Sequence, residues 1–243
     1  MFRSDDIDAV VFDMGGVFLI PEPTRISAIV GDAGVPLEMD DDAAHLAHYT
    51  GVRALTELFE STVADETVPD VWHAYDTAYF TAAGVGDDHL ETAVTARDAY
   101  RRTPNKVGHV WMHPLPANIE AFAGVAAHRP VAIVSNNDGT AAEQCLDHAI
   151  CQVGPGSLPT VAALVDSGVL GIAKPDPRIF APAIEALGTD PARTLYVGDT
   201  VHADVRGAEA AGMPVVQLDP YDLHADHDHW RLPDVVALAA LLQ

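Results

Sequence analysis

The sequence predicts an α/β protein: a Rossmann-like three-layer α/β/α core with a parallel sheet, and a small all-helical subdomain inserted after the first strand. Three observations carry this. Short, nearly continuous apolar runs ending in polar residues recur (IDAVVFD, PVAIVSN, RTLYVGD, PVVQLD), as buried parallel strands do. From about residue 110 these runs alternate with helical patterns, which implies a parallel sheet covered on both faces. Between the first run and the rest, residues 24–108 carry apolar residues at three- and four-residue spacing, the period of helices.

Residues 7–13 read as the first strand. MGGVFLIPEP, with two glycines and two prolines, cannot be helix and reads as a turn and loop leaving that strand's C-terminal end. AAHLAHYTGVRALTELFESTVA, VPDVWHAYDTAYFTAAGV and HLETAVTARDAYRRT belong to a block of about four helices, separated by Asp- and Gly-containing breaks. PANIEAFAGVAAH then reads as helix, PVAIVSNND as strand and GTAAEQCLDHAI as helix. TVAALVDSGVLGIAKPDP holds a short strand and an extended loop. PRIFAPAIEALG reads as one helix with Pro in its first turn. RTLYVGD is a strand, ADVRGAEAAG a helix ending on Gly212, PVVQLD a strand and LPDVVALAALL a closing helix. The expected domains are a core of residues 1–20 and 109–243 and a helical insertion of residues 21–108. A length of 243 residues suits a core plus an inserted subdomain.

Composition narrows the partners. Thirteen Lys and Arg stand against 36 Asp and Glu, a formal charge of −23. Such a surface repels phosphate backbones and anionic headgroups, which argues against nucleic acid and membrane as partners. It reads either as adaptation to high salt or as a solubility surface. Lysine occurs only at positions 106 and 174, which makes each one informative. No apolar run approaches the roughly 18 residues of a membrane span, and the N-terminus lacks the pattern of a secretory signal. A cytoplasmic protein is expected, with Cys145 and Cys151 as free, buried thiols. Oligomeric state is not legible.

The chemistry concentrates at strand ends. Asp13 follows AVVF, Ser135 and Asn136 follow VAIV, and Asp199 follows LYVG; Lys174 lies in AKPDP. In a parallel α/β sheet the C-terminal strand ends share one edge, where ligands bind. Two carboxylates, a hydroxyl and an ammonium therefore converge. Adjacent carboxylates raise each other's pKa unless a cation lies between them. Hard oxygen ligands with an open face suit Mg²⁺, with phosphate oxygens completing its shell. Ser135, nearby backbone N–H groups and Lys174 are donors suited to phosphate. Asp13 is then free to attack phosphorus as a nucleophile.

The set FDMGGV, IVSNN, AKPDPRIF and VGDTVHADVRGAEAAGM resembles the four motifs, in order, of the haloacid dehalogenase-like hydrolase superfamily. The helical block resembles the small helical cap of its first cap class. The FDMGGV spelling resembles a subgroup related to the N-terminal, phosphatase-like domain of soluble epoxide hydrolases. The resemblance implies a Mg²⁺-dependent phosphatase of a small phosphorylated metabolite. Asp13 matches the nucleophile that becomes an aspartyl-phosphate and also binds Mg²⁺. Gly15 matches the position whose carbonyl binds Mg²⁺, Ser135 and the amide of Asn136 the phosphate grip, and Lys174 the lysine joining nucleophile and phosphate. Asp199 matches an acidic Mg²⁺ ligand and Asp204 a second, direct or through water.

One departure matters. Phosphatases of the superfamily carry Asp-x-Asp, whose second Asp is the general acid/base. That place is Gly15 here, a loss typically of about 10²–10⁴ in rate. Substrates with good leaving groups should be favoured. Glu22, Asp138 and His202 are nearby in sequence as substitute acids. Two alternatives stand beside the phosphatase: a metal-independent 2-haloacid dehalogenase, and a catalytically silent phosphate-binding or regulatory protein. The acidic VGDTVHAD favours Mg²⁺ and phosphate over the dehalogenase.

Other motifs read more plainly. Trp72, Tyr75, Tyr79 and Phe80 fall at helical spacing and read as the core of the helical block. HADHDHW, residues 224–230, resembles a metal site but reads as a solvated loop. His113 reads as structural.

Overall fold

The computed structural model describes residues 3–61, 71–103 and 110–242. Lys106, the readings of residues 62–70 and the expected domain boundary at 108–109 lie outside them. The chain divides into two compact units, Met1–Leu19 with Pro114–Gln243, and Ile20–His113.

In the first unit, the predicted first strand is β1 (Ala9–Phe12), with all four residues buried. The chain leaves this unit within β2 (Leu19–Pro21) and returns at the end of β3 (Trp111–Pro114), which pairs with β2. Helix α5 (Pro116–Ala126) leads to β4 (Val131–Ser135), then α6 (Ala141–Asp147), β5 (Gln152–Val153), β6 (Thr160–Val161), β7 (Leu164–Asp166) and the single turn α7 (Ser167–Leu170). Helix α8 (Ala181–Leu187), β8 (Thr194–Gly198), α9 (Arg206–Ala210), β9 (Val215–Leu218), β10 (Trp230–Leu232) and α10 (Val235–Leu242) complete it. Six strands form one sheet in the order β10-β9-β8-β1-β4-β7. Its pairings are parallel, with Phe12 opposite Ile133 on β4 and Val197 on β8. The central place of β1 explains why its sequence is uninterruptedly apolar.

The pleat sorts β1 between two cores. Val10 and Phe12 enter one cluster, where Phe12 meets Phe122 of α5 edge-on at 5.2 Å and Phe18 at 5.7 Å. Val11 enters the other, with Ile179, Phe180 and Ala208. Helices thus cover both faces, giving three layers.

Among its described residues the second unit holds α1 (Pro23–Gly31), α2 (Asp41–Ser61), α3 (Val71–Ala82) and α4 (Asp87–Arg102), against the about four helices the spacing predicts. Glu22 caps α1, accepting from the backbone N–H of Thr24 and of Arg25 at 3.2 and 2.8 Å, with Pro23 opening the helix. Tyr75, Tyr79 and Phe80 are buried in its core. Trp72 is not: it is 39% exposed, and the Arg101 guanidinium lies over its ring.

Four local differences from the sequence reading have physical causes. PRIFAPAIEALG is not one helix but a 3₁₀ turn, Pro177–Phe180, followed by α8. Pro182 lacks the N–H that an α-helix would bond to Arg178 O, so the chain restarts. ADVRGAEAAG opens as a π-turn, Val201–Val205, in which Val205 N–H reaches back five residues to Thr200 O at 3.2 Å. In the expected loop after β1, the chain turns at Gly16 and straightens through FLI into β2, because proline is excluded from helices but not from edge strands. The histidine-rich stretch runs directly into β10 at Trp230.

Candidate active site

Asp13 is the first polar residue past β1. Its backbone N–H donates to Val197 O at 2.8 Å, and its side chain is almost wholly enclosed. Lys174 is buried beside it, and its ammonium donates to Asp204 Oδ1 at 2.7 Å and to Tyr196 Oη at 2.8 Å. Asp13 Oδ1 lies 2.9 Å from the same ammonium as an ion pair and, though buried, accepts no hydrogen bond. Asp204 sits in the π-turn. Its Oδ1 also accepts from Tyr196 Oη at 2.8 Å, and its Oδ2 accepts from Thr200 N–H and Oγ1 at 2.9 and 2.6 Å. All of its roughly four lone-pair directions are taken. Asp199 lies just past β8, and its backbone carbonyl accepts from Gln217 Nε2 at 2.8 Å. Carboxylate oxygens of Asp13, Asp199 and Asp204 all lie within 4.8 Å of one another.

Two glycines make this approach possible. At Gly16 the backbone is left-handed (φ +67°), and the space a Cβ would occupy is filled by the Asp199 carboxylate. At Gly198 it is filled by the Asp204 side chain. Gly15 stands between Asp13 and this turn, bridged to Leu19.

Ser135 ends β4 on the same sheet edge, buried and opposite Asp166 of β7. The Asn136 side chain is spent on the lysine's main chain: Nδ2 donates to Lys174 O at 3.0 Å and Oδ1 accepts from Lys174 N–H at 2.8 Å. The loop after β4 is tied to the turn after β7. The buried Asp166 carboxylate accepts from the N–H groups of Gly139, Ala141 and Gly168 at 2.8–3.1 Å.

The electrostatics arise from burial of like charges. Burial pushes Asp13 up to about 7; Lys174 opposes this, while Asp204 and Asp199 add to it. Burial and the Asp204 charge raise Asp199 well above the usual carboxylate range. Asp204 is lowered despite burial, because Lys174 and Thr200 stabilise its anion. Lys174 is raised, its burial outweighed by Asp13 and Asp204. Three carboxylates face one ammonium, so the cluster as a whole lacks compensating positive charge. That deficit, with hard oxygen donors converging at one sheet edge, fits a divalent cation such as Mg²⁺.

Sequence reasoning found the charged members of this cluster because each charge ends or interrupts an apolar run. It missed Tyr196, Thr200, Gln217 and Gly16. The available signals were a hydroxyl within TLYVG and an amide within VVQL, two polar groups in buried strands that each need a partner. Elsewhere, Glu22 is occupied as the α1 cap, and hydrogen bonds from Thr24 and Arg25 hold it below its ordinary value against its burial. Asp138 accepts from Thr140 Oγ1 at 2.8 Å. His202 lies half-buried in the π-turn. Cys145 and Cys151 are free and buried. Among the described residues, His224, His227 and His229 do not form a group with metal-ligand spacing. No described helix is long and apolar enough to cross a membrane.

A six-stranded parallel sheet with a carboxylate–ammonium cluster at its carboxyl edge defines an α/β protein of the Rossmann-like class. The pattern of the haloacid dehalogenase-like hydrolases matches residues 7–212, and the chain belongs to that family. Phosphoserine phosphatase from Thermus thermophilus is 36% identical over 120 residues, 48% of this chain and 47% of that protein. The chain thus spans about half the length of this curated relative. Among solved structures, the HAD-hydrolase YfnB from Bacillus subtilis, bound to magnesium, superposes with a TM-score of 0.59 at 16% identity, covering all of both chains. L-2-haloacid dehalogenase from Xanthobacter autotrophicus gives 0.52 at 18% identity, covering 97% of this chain and 98% of that one. At these identities the likeness is one of fold.

Proposed function

We propose that the protein is a Mg²⁺-dependent phosphatase of a small phosphorylated metabolite, acting through an aspartyl-phosphate on Asp13. The observation that carries this is the enclosed Asp13, held 2.9 Å from Lys174 and grouped with Asp199 and Asp204. The resemblance to phosphoserine phosphatase over 120 residues supports phosphate as the leaving product. The dehalogenase likeness is confined to fold, and an acid-rich site favours the phosphatase.

Asp13, Asp199 and the Gly15 carbonyl would hold the cation, and Asp204, its oxygens engaged by Lys174, Tyr196 and Thr200, would add negative charge beside it and hold Lys174 in place. Bound there, Mg²⁺ supplies the positive charge that the carboxylates and an incoming phosphoryl group both need. Asp13 attacks phosphorus, the P–O ester bond breaks, and the leaving oxygen departs with the bond's electron pair. Water then attacks the phosphorus of the aspartyl-phosphate, releasing inorganic phosphate and restoring the carboxylate. Lys174 favours the ionised form of Asp13 against its burial and stabilises the transferring charge. Ser135 and the Asn136 N–H grip phosphate oxygens, while the Asn136 side chain fixes the Lys174 backbone. Substrate selection falls to the helical unit, by its resemblance to the family's cap.

Gly15 supplies no proton, so the leaving group must bear its own charge or be protonated by solvent. Rates on p-nitrophenyl phosphate and an acyl phosphate should exceed those on a simple alkyl phosphate, and equal rates on all three would refute this. Phosphate release should vanish on chelation and in Asp13→Asn. Phospho-ligand binding without turnover would indicate a silent protein, and metal-free chloride release from a 2-haloacid would indicate a dehalogenase.

A further inference from the structure

Gln217 is an amide on a core strand with no exposed surface. It lies opposite Gly198, where the β8–β9 ladder ends. Asp199 lies one residue past that last pair, and the Gln217 side chain meets its carbonyl at 2.8 Å. A carbonyl accepts, so the amide must present Nε2 to Asp199 and Oε1 to its other side. There His229 Nε2 lies 2.7 Å from Oε1 and donates to it. His224 Nδ1 lies 3.2 Å from Nε2, placed to accept its second hydrogen. The loop carrying the histidines is pinned by Asp219, whose carboxylate accepts from Leu223 and His224 N–H at 2.9 and 2.8 Å. Burial lowers His229 to about 4, so it stays neutral near pH 7.

We infer that Gln217 is the positioning residue of Asp199, and that His229 and His224 orient its amide for that task. A tethered carbonyl fixes the Asp199 main chain and so the direction of its carboxylate over Gly16. The histidine-rich loop, which resembles a metal site in sequence, serves a metal site one hydrogen-bond chain away. Outer residues of this kind typically change metal affinity about 10–100-fold. The inference rests on the Mg²⁺ reading of the site.

Calorimetric titration of Mg²⁺ into the full chain tests it, with circular dichroism melts to confirm folding. Gln217→Leu, close in shape but without hydrogen bonds, should weaken Mg²⁺ binding about 10–100-fold, with a smaller loss of kcat at saturating Mg²⁺. His229→Leu should shift affinity the same way. His229→Gln, which retains an N–H donor at the Nε2 position, should restore most of it. Folded Gln217→Leu with affinity within about twofold of the parent overturns the inference. If Gln217→Leu does not fold, the His229 pair decides, and equal affinity in both overturns it. A parent chain that binds no Mg²⁺ overturns the phosphatase reading and this inference together. A binding parent with unchanged variants overturns this inference alone.

Discussion

Gly16 carries no functional group, yet the geometry of the carboxylates depends on it. Its φ of +67° disfavours any L side chain, and a Cβ would fall inside the Asp199 carboxylate. Gly16→Ala therefore strains the turn by about 1–2 kcal/mol and expels Asp199 from its place. We expect kcat/KM to fall by at least about 100-fold and Mg²⁺ affinity with it, measured by steady-state kinetics and calorimetry. Asp13 bears separately on pH. Its carboxyl is raised to about 7 from 3.8, so burial favours its neutral form. The stability it contributes is fully present below about pH 4 and is lost as the pH rises through about 7. In metal-free buffer, Asp13→Asn cannot ionise and escapes this loss. The variant should therefore be the more stable at pH 8, by at least about 1 kcal/mol, with the gap closing toward pH 4. Urea melts at the two pH values check it, and a gap independent of pH would refute it. These residues also mark where sequence reasoning stops. Asp13, Lys174, Asp199 and Asp204 are legible because charge is out of place beside buried strands. Gly16, Tyr196 and Gln217 are not, because their importance lies in which carboxylate or carbonyl the fold brings against them.

At the scale of elements, the site is a set of strand ends held in register by the turn or loop past each strand. After β4 the chain turns through Asn136–Thr140 before α6, and Asp166 at the end of β7 gathers the N–H groups of Gly139, Ala141 and Gly168. Asp166→Ala leaves those donors without their acceptor, at about 1–3 kcal/mol for each group left buried and unpaired. The loop whose amides we propose grip phosphate loosens with them. Stability should drop by about 2–3 kcal/mol in urea unfolding, and KM should rise more than kcat falls. A variant with normal KM would show that the loop holds itself. Element type was legible where the apolar period ran long, as in α2 and α4, or where the apolar run was unbroken, as in β1. It failed at short or spliced segments. β10 has three residues entered from a polar loop, and PRIFAPAIEALG looks continuous until Pro182 removes one hydrogen bond. The π-turn is set by contacts of Asp204 with Thr200, Tyr196 and Lys174 that no local pattern encodes.

For the whole molecule the dominant physical fact is charge. Thirteen cationic side chains oppose 36 anionic ones. Part of that acidity belongs to the site, since Asp13, Asp199 and Asp204 are buried there; most of the rest lies on the surface. Folding draws these charges together, so their mutual repulsion opposes the compact state. At 0.01 M salt the screening length is about 30 Å and repulsion acts across much of the chain; at 0.15 M it is about 8 Å and only neighbours interact. Salt also weakens favourable surface pairs such as Arg193–Asp8 at 2.6 Å and Arg178–Asp176 at 2.5 Å, but exposed pairs contribute only about 0–1 kcal/mol each. With anions in almost threefold excess, the repulsive part prevails. Raising KCl from about 0.01 to 0.15 M in the presence of chelator should therefore increase Tm by several degrees, equivalent to about 1–2 kcal/mol, and the gain should level off once the screening length falls below the spacing of surface charges. Asp13→Asn should show the same slope, because the effect belongs to the whole surface and not to cation binding at the site. Sodium and potassium chloride should act alike for the same reason. A Tm that falls with salt would mean that the few ion pairs outweigh the net charge, and a slope abolished by Asp13→Asn would place the effect in the site.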